Sequence, residues 1–410
     1  MSKDEVDIDP GRGLFPVPIE AFTGICSIGR GRRQIADALW AGRCGLQPNT
    51  FGDSAAEVKT FIGRVEAVEH RTLPERLARW DCRNHRLAWI ALHEDDFHLH
   101  VAAAARRFGP SRIGVFVGTS TSGLLDTEEL FRHSRQSELE PARYESRHSL
   151  GSVSDLVALI LGLEGPRHCV STACSSSAKV FAVAARYLNA GLCDAAVVGG
   201  VDSLCYTTLY GFDALELLSA EPARPFARDR SGISIGEGAA FGLLVPGAST
   251  QTALLGAGES SDGHHMSSPH PDGLGAERAM SEALASAGLQ PSDVDYLNLH
   301  GTGTLANDKV EAKAVARVFG REIPCSSTKG ATGHCLGAAG AVEALVCNLA
   351  LEHQRLPGNV GTTVSDTELP LQIAAASTPA VLRCVLSNSF GFGGSNCSLV
   401  FGIADGVAVR

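Results

Sequence analysis

The segments STACSSS (residues 171–177) and STKGATGH (residues 327–334) decide the fold of this chain. After the first segment, apolar residues from Val180 to Leu188 recur at positions i, i+3, i+4, i+7 and i+8. After the second, apolar residues from Val342 to Ala350 repeat that spacing, which is typical of a helix with one buried face. A polar stretch followed twice by the same helical pattern predicts that the chain is internally duplicated.

Cys174 is a candidate nucleophile because it lies at the predicted start of the first of these helices. The N–H groups at a helix N-terminus are unpaired and carry the positive end of the helix dipole, so we expect a thiol there to have a lowered pKa. A role as a small buried side chain is the alternative, and it is the role expected for the other eleven cysteines.

Two further segments, NLHGTGT at residues 298–304 and SNSFGFGGSN at residues 387–396, supply groups that suit the same chemistry. In the first, His300 lies where a short apolar strand ends in a glycine-rich loop. In the second, three glycines allow the backbone to approach a ligand closely and expose its N–H groups. A thiol, the imidazoles of His300 and His334, the ammonium group of Lys329 and a loop of N–H donors suit acyl transfer.

The order and spacing of these four segments resemble those of the β-ketoacyl-acyl-carrier-protein synthases, or ketosynthases, which are condensing enzymes of the thiolase superfamily. The resemblance extends from Phe22 to Phe401 and so covers nearly the whole chain. It implies an α/β thiolase fold with a duplicated five-layered α/β/α/β/α arrangement, in which the helices after Cys174 and His334 pair in the centre. The alternation of strand and helix patterns also predicts parallel sheets covered by helices.

We expect an N-terminal extension over residues 1–20, where disorder is expected, then an N-terminal thiolase-like half over 21–246 and a C-terminal thiolase-like half over 252–410. The resemblance implies a dimer, formed either by two identical chains or with a ketosynthase-like chain-length factor. The apolar run at residues 195–198 is the expected edge strand for this association, because an unpaired apolar edge invites pairing with another chain.

The resemblance implies a decarboxylative Claisen condensation of an acyl thioester, held on Cys174, with malonyl-acyl-carrier-protein. His300 and His334 would be neutral imidazoles that donate hydrogen bonds to one carbonyl oxygen, because decarboxylation generates an enolate and donors placed at the developing charge lower the barrier. Lys329 would have an electrostatic and orienting role, and a solvent-exposed lysine is the alternative.

Other site residues follow from the same resemblance. The backbone N–H groups of Cys174 and Phe392 would form a second oxyanion hole, with Phe392 and Phe390 at the gate. Thr302 and Thr304 could bond the pantetheine amides, and loop capping is equally expected. Positions that surround a structural cation or water cluster in relatives match Asn298, Glu311, Glu343, Ser387 and Asn388. We expect neither a cofactor nor a bound metal, because the substrates carry phosphopantetheine on the carrier protein.

Composition limits the partners and the compartment. The net charge of -10 disfavours nucleic acid. We expect neither a signal peptide nor a membrane span, because the first residues are acidic and the sequence has no apolar run of 18 residues. Twelve scattered cysteines without a C-x-x-C pair predict a reducing, cytoplasmic location. An acidic acyl carrier protein would need a local basic patch. The candidates are Arg71, Arg76, Arg79, Arg83 and Arg86, or Arg132 and Arg135. A solvated helix face is the alternative for each group.

Short sequence stretches and single residues indicate the pathway and distinguish the possible functions. Residues 118–122, 258–262 and 269–273 resemble ketosynthases of bacterial aryl polyene pigment clusters more than those of housekeeping fatty acid synthesis. The alternatives are a general fatty acid elongation ketosynthase and a non-catalytic subunit like a chain-length factor, which normally lacks the nucleophile. A degradative thiolase is disfavoured because the glycine-rich loop has Phe392 where a thiolase has a second catalytic cysteine.

Overall fold

The computed structural model describes residues 15–138 and 140–404. Its β-strands are β1 (Val17–Cys26), β2 (Gly29–Arg30), β3 (Leu46–Pro48), β4 (Phe61–Gly63), β5 (Ile113–Gly118), β6 (Arg167–Val170), β7 (Ala195–Asp202), β8 (Ile235–Gly236), β9 (Gly238–Leu244), β10 (Thr252–Ser261), β11 (Tyr296–Asn298), β12 (Pro324–Ser326), β13 (Arg355–Leu356), β14 (Gln372–Ile373), β15 (Thr378–Pro379), β16 (Cys384–Gly391) and β17 (Ser395–Ile403). Its α-helices are α1 (Gly31–Trp40), α2 (Ser54–Glu57), α3 (Arg83–His93), α4 (Phe97–Phe108), α5 (Leu124–Arg132), α6 (Pro141–Arg143), α7 (Ser152–Leu161), α8 (Ser176–Asn189), α9 (Tyr206–Ala214), α10 (Leu274–Ala287), α11 (Leu305–Phe319), α12 (Lys329–Thr332) and α13 (Ala339–His353).

The strands of the two halves follow the same order. In the first half the order is β1-β9-β7-β5-β6, with β6, β5 and β7 parallel and β9 antiparallel to its neighbours. In the second half the order is β10-β17-β16-β11-β12-β14, with β16, β11 and β12 parallel and β17 antiparallel to its neighbours. A short antiparallel pairing of β1 with β10 joins the two sheets. The duplication predicted from the two helix patterns is therefore confirmed.

Helices α8 and α13 lie between the two sheets. Helix α8 packs on β5 and β7 of the first half and on β10 and β17 of the second, while α13 packs on β16, β9 and α8. The two helices approach closely where Gly340 faces Ala178: a Cβ at Gly340 would lie only 2.6 Å from the backbone nitrogen of Ala178. Helices α3, α4 and α7 pack on the first sheet, and α10 packs on the second. This is the five-layered arrangement that the resemblance implies.

Two expectations need correction, the end of the N-terminal extension and the edge strand. Residues 1–14 of the expected extension lie outside the described residues, but residues 17–20 already belong to β1, because Val17 and Ile19 are buried in the core. The run at 195–198 is not an edge: β7 lies between β9 and β5 and is buried along its whole length. An apolar run buried on both faces is typical of a central strand. The edge of the first sheet is β6, where Arg167 and His168 are exposed.

The fold brings the four sequence segments to one place. Cys174 follows β6 and His300 follows β11, and both strands are parallel members of their sheets, whose carboxyl ends commonly hold ligands. His334 follows α12 and pairs with Ile235 of β8, in the small sheet β3-β4-β8. Among the described residues, none of the helices combines the length and the apolar character needed to cross a membrane.

Candidate active site

Cys174 occupies a tight turn between β6 and α8. The preceding residue, Ala173, has a φ of 52°, a left-handed conformation that is unfavourable for a residue with a side chain. Gly391 allows the glycine-rich loop to pass alongside, because a Cβ there would lie 3.3 Å from the backbone nitrogen of Cys174. The Cys174 side chain is buried and lines a cavity that also contains His300 and His334.

The pKa of the Cys174 thiol differs from the expectation. Burial raises it to about 11, and the ammonium group of Lys329 and the N–H of Phe392 oppose this shift only in part. The sequence predicted a lowered pKa from the helix terminus, but α8 begins two residues later, at Ser176. The loss of solvation of the thiolate outweighs the neighbouring positive groups, so the resting form of Cys174 is the thiol.

The hydrogen bonds around His334 make its Nε2 a donor. The backbone N–H of His334 donates to the carbonyl of Ser234 at 2.8 Å, and its carbonyl accepts from Gly236 at 2.9 Å. The N–H of Leu336 donates to Nδ1 at 3.2 Å, so the proton of the neutral ring is on Nε2. Nε2 lies 3.1 Å from Sγ of Cys174. Burial, with a smaller effect of Lys329, holds the pKa of His334 well below its ordinary value.

His300 is held in the same protonation state by Lys329. Nζ of Lys329 lies 3.4 Å from Nδ1 of His300 and donates to its carbonyl oxygen at 2.6 Å. Since an ammonium group can only donate, Nδ1 accepts and Nε2 carries the ring proton. Burial, followed by Lys329 and His334, holds the pKa of His300 well below its ordinary value. The two rings lie 5.3 Å apart between centroids, and one nitrogen of each lies within 4.8 Å of Sγ of Cys174.

Lys329 and Glu343 form a buried ion pair beneath the two histidines. Lys329 is in the short helix α12, and Glu343 is in the otherwise largely apolar α13. Burial raises the pKa of Glu343, while the charge of Lys329 opposes that shift. A buried charge that loses its partner is strongly destabilising, so the pair fixes α12 to α13.

Glu311 supports the backbone of His300. Its two carboxylate oxygens accept the N–H groups of His300 and Gly301, each at 2.8 Å, and Asn388 donates to the same carboxylate at 3.1 Å. Burial raises the pKa of Glu311 to about 7 despite these donors. The group expected behind the histidines therefore includes a carboxyl that orients the loop carrying His300.

Several buried polar atoms behind the histidines have no hydrogen-bond partner among the residues that the structure describes. They are both side-chain polar atoms of Asn298, the hydroxyls of Ser387 and Ser389 and one carboxylate oxygen of Glu343. Asn298 and Ser387 are partners in the register of β11 and β16, and Ser389 is on the same face of β16 as Ser387. Oxygen atoms of this kind fit the water cluster or structural cation that the resemblance implies.

The glycine-rich loop faces the nucleophile. Phe390 and Phe392 line the cavity, with the Phe390 ring 5.8 Å from that of His300 and the Phe392 ring 5.4 Å from that of Phe212. Gly393, with a φ of 79°, allows the tight turn that follows. The N–H of Phe392 faces the Cys174 thiol closely enough to oppose the rise of its pKa.

Thr302 and Thr304 also line this cavity, and their hydroxyls lie 3.0 Å apart. Thr304 caps α11 by accepting the N–H of Asn307, which is the capping role considered as the alternative. Sequence reasoning missed Asp308, which accepts the N–H groups of Thr302 and Gly303 and so shapes this loop. An aspartate in the first turn of a helix gives no signal of that role.

Comparisons with known proteins identify the family of the chain. The family models for the N-terminal and C-terminal domains of beta-ketoacyl synthase match residues 16–248 and 252–363. The chain is 30% identical over 407 residues to 3-oxoacyl-[acyl-carrier-protein] synthase 2 of Synechocystis sp., covering 94% of this chain and 97% of that protein. It is 32% identical over 411 residues to nodulation protein E of Rhizobium meliloti, covering 94% and 98%.

Among solved structures, the chain is similar to the ketosynthase ApeO in complex with its chain length factor ApeC from Xenorhabdus doucetiae. The identity is 40%, the TM-score is 0.86, and the match covers 95% of this chain and 98% of that chain. It is also similar to the ishigamide ketosynthase/chain length factor, with 28% identity, a TM-score of 0.85 and coverage of 95% and 99%.

Proposed function

Because the chain belongs to the β-ketoacyl synthase family, we propose that Cys174 carries the acyl chain and that His300, His334 and Lys329 serve the condensation. The chain is a β-ketoacyl-acyl-carrier-protein synthase, an acyltransferase. The observation that carries the assignment of roles is the convergence of one thiol and two neutral imidazoles, both with Nε2 protonated, in one cavity.

In the first step, Sγ of Cys174 attacks the carbonyl carbon of the acyl thioester. A new carbon–sulfur bond forms, the bond to the pantetheine sulfur breaks, and the thiol proton ends on the departing pantetheine thiol. The N–H groups of Cys174 and Phe392 stabilise the oxyanion of the tetrahedral intermediate. A thiol suits this exchange because the acyl group remains an activated thioester.

In the second step, malonyl-acyl-carrier-protein loses carbon dioxide and becomes an enolate. Nε2–H of His300 and Nε2–H of His334 donate to the thioester oxygen on which the negative charge develops. The enolate carbon then attacks the acyl carbonyl on Cys174, the carbon–sulfur bond breaks, and the thiolate takes up a proton from water. The products are the β-ketoacyl thioester and carbon dioxide.

Mass spectrometry tests the role of Cys174 directly. We expect incubation with an acyl-carrier-protein thioester to add one acyl group, located on Cys174. The experiment uses a Cys44→Ala background, because Cys44 is the exposed thiol among the described cysteines and would compete for reagents. An acyl group on another residue would contradict the proposal.

We propose that the chain pairs through β6 with a second copy or with a homologue like a chain-length factor. The N–H of Val115 donates to the carbonyl of Pro166 and the N–H of Thr119 to that of Val170, so the intervening N–H of Cys169 points away from β5. Cys169→Pro should therefore prevent pairing while Cys193→Ala, at another cysteine, does not. A Cys169→Pro variant that still dimerises in sedimentation would contradict this edge.

We propose that an acidic carrier protein docks on Arg71, Arg76 and Arg79. All three are exposed and form no ion pair within the described residues, whereas the other candidates are paired. Arg76→Glu with Arg79→Glu should raise the KM for the acyl-carrier protein but leave the KM for an acyl-pantetheine unchanged. An unchanged KM for the carrier protein would contradict this docking surface.

We propose that the substrates are the conjugated chains of aryl polyene synthesis. The resemblance of residues 118–122, 258–262 and 269–273 to such ketosynthases supports this, and Asp262 and Pro269 line the cavity. Polyenoyl thioesters should then acylate Cys174 faster than saturated thioesters of equal length. A preference for saturated chains would indicate general fatty acid elongation instead. The cytoplasmic location stays a prediction.

A further inference from the structure

Asp202, at the end of β7, is a fully buried carboxylate that receives a large number of hydrogen bonds. Its Oδ1 accepts the hydroxyl of Thr119 at 2.7 Å and the N–H and hydroxyl of Thr121 at 2.8 and 2.7 Å. Its Oδ2 accepts the hydroxyl of Ser120 and the N–H of Gly337, each at 2.5 Å, and the N–H of Ser120 lies between both oxygens. All these donors are neutral, so hydrogen bonds alone stabilise the buried charge.

One set of donors comes from residues 119–121, next to the segment that carries Cys174. Residues 119–121 follow β5, and the preceding Gly118 lies against the first turn of α8, because a Cβ on it would be 2.4 Å from the nitrogen of Ser177. Gly200, two residues before Asp202, is in equally close contact with Ser177. Helix α8 begins immediately after the turn that carries Cys174.

The remaining donor, the N–H of Gly337, comes from the segment that carries His334. Gly337 lies three residues after His334, in the 3-10 turn that leads into α13. A Cβ at Gly337 would lie 2.7 Å from the carboxylate of Asp202 and 2.8 Å from the nitrogen of Ser120, so this segment is tightly enclosed. Asp202 therefore joins the segments that carry the two catalytic partners from opposite halves of the chain.

We propose that Asp202 is a positioning residue that keeps Sγ of Cys174 and Nε2 of His334 at hydrogen-bond distance. The inference rests on the proposed function, because that function gives this distance its importance. A misplacement of about 1 Å between reacting groups can lower a rate on the order of a hundredfold. The carboxylate is also one of the negative charges that raise the pKa of Cys174, although burial is the larger cause.

Asp202→Asn tests the proposal. The amide nitrogen of Asn cannot accept the hydrogen bonds that one carboxylate oxygen of Asp202 now receives. The segment bonded to that oxygen therefore loses its attachment to residue 202. We expect kcat for acylation of Cys174 to fall about tenfold to a hundredfold, with KM for the acyl donor unchanged. In the Cys44→Ala background, the pH profile of Cys174 alkylation should move to lower pH, because a negative charge near the thiol is lost.

Asp194→Asn is the matched control, because this partly exposed aspartate pairs with Arg112 on the surface. It should change neither kcat nor the alkylation profile. An Asp202→Asn variant with wild-type kcat and an unshifted profile would overturn the proposal.

Thr119→Val and Thr121→Val keep the test decisive if Asp202→Asn does not fold. Each removes one hydroxyl donor but retains the carboxylate charge, so kcat should fall without a shift of the alkylation profile. Wild-type kcat in both variants would overturn the positioning role. An inactive wild-type protein would contradict the proposed function instead, and the alkylation profiles would then report only the effect of the Asp202 charge on the Cys174 thiol.

Discussion

The two halves of the molecule share one strand order but contribute different chemistry. In the first half, the chain passes from β6 through Cys174 directly into α8. In the second, the chain leaves β12 and forms the short helix α12 and a 3-10 turn before α13 begins. This longer connection adds Lys329 and places His334 opposite the thiol. In the proposed mechanism, a change in one connecting segment therefore gives a duplicated scaffold a nucleophile in one half and hydrogen-bond donors in the other.

The loops after β5 and β11 show a second contrast. Each loop donates backbone N–H groups to a buried carboxylate, which is Asp202 in the first half and Glu311 in the second. Asp202 comes from the neighbouring strand and also receives three hydroxyl groups, whereas Glu311 comes from α11 and receives one amide. The halves therefore order equivalent loops with carboxylates from different elements.

Cys174→Ala should separate the two halves most clearly. Condensation should be abolished because no thioester forms, whereas malonyl decarboxylation should persist because its hydrogen-bond donors are in the second half. Product analysis and release of labelled carbon dioxide measure the two steps. Cys397→Ala, at another buried cysteine, should leave both intact. An active Cys174→Ala variant would contradict the division of labour.

His300→Ala and His334→Ala should slow carbon dioxide release by about a hundredfold to a thousandfold, the usual effect of losing one oxyanion donor. Because the pKa of each ring lies well below its ordinary value, both remain neutral across the neutral range. The wild-type decarboxylation rate should therefore show no protonation step near pH 6.5, the ordinary pKa of imidazole being about 6.5. A clear step there, or normal release in both variants, would contradict the donor role.

Helical periodicity predicted the duplication, because it records local structure. The resemblance implied the layers, and the motifs supplied four candidate side chains, Cys174, His300, His334 and Lys329, that the structure brings together. Sequence reasoning failed where the answer depends on tertiary contacts. The run at 195–198 was expected at an edge, but which strand is outermost depends on the pairing order. The lowered pKa expected for Cys174 ignored burial, which the surrounding elements create together. Asp202 and Asp308 gave no signal because their partners are distant or ordinary backbone groups.

Lys329→Met should destabilise the second half, because Glu343 would remain as a buried charge without its partner. The expected loss in the free energy of unfolding is about 3–5 kcal/mol, measured by urea denaturation. The double variant Lys329→Met/Glu343→Leu should recover most of it, since neither charge remains. Equal losses in the single and double variants would show that the ion pair itself is not the cause.

Glu311→Gln should change how stability depends on pH. The pKa of Glu311 is raised from 4.5 to about 7, so the folded protein retains a proton that the unfolded chain releases. The stability from this group is complete below pH 4.5 and is lost as the pH rises through about 7, which amounts to about 2–3 kcal/mol between pH 5 and pH 8. The Gln variant should lack this part of the slope in urea denaturation, whereas Glu282→Gln, at an exposed position, should retain it. Identical slopes for wild type and Glu311→Gln would show that the carboxyl under His300 stays ionised, as its hydrogen-bond donors alone would favour.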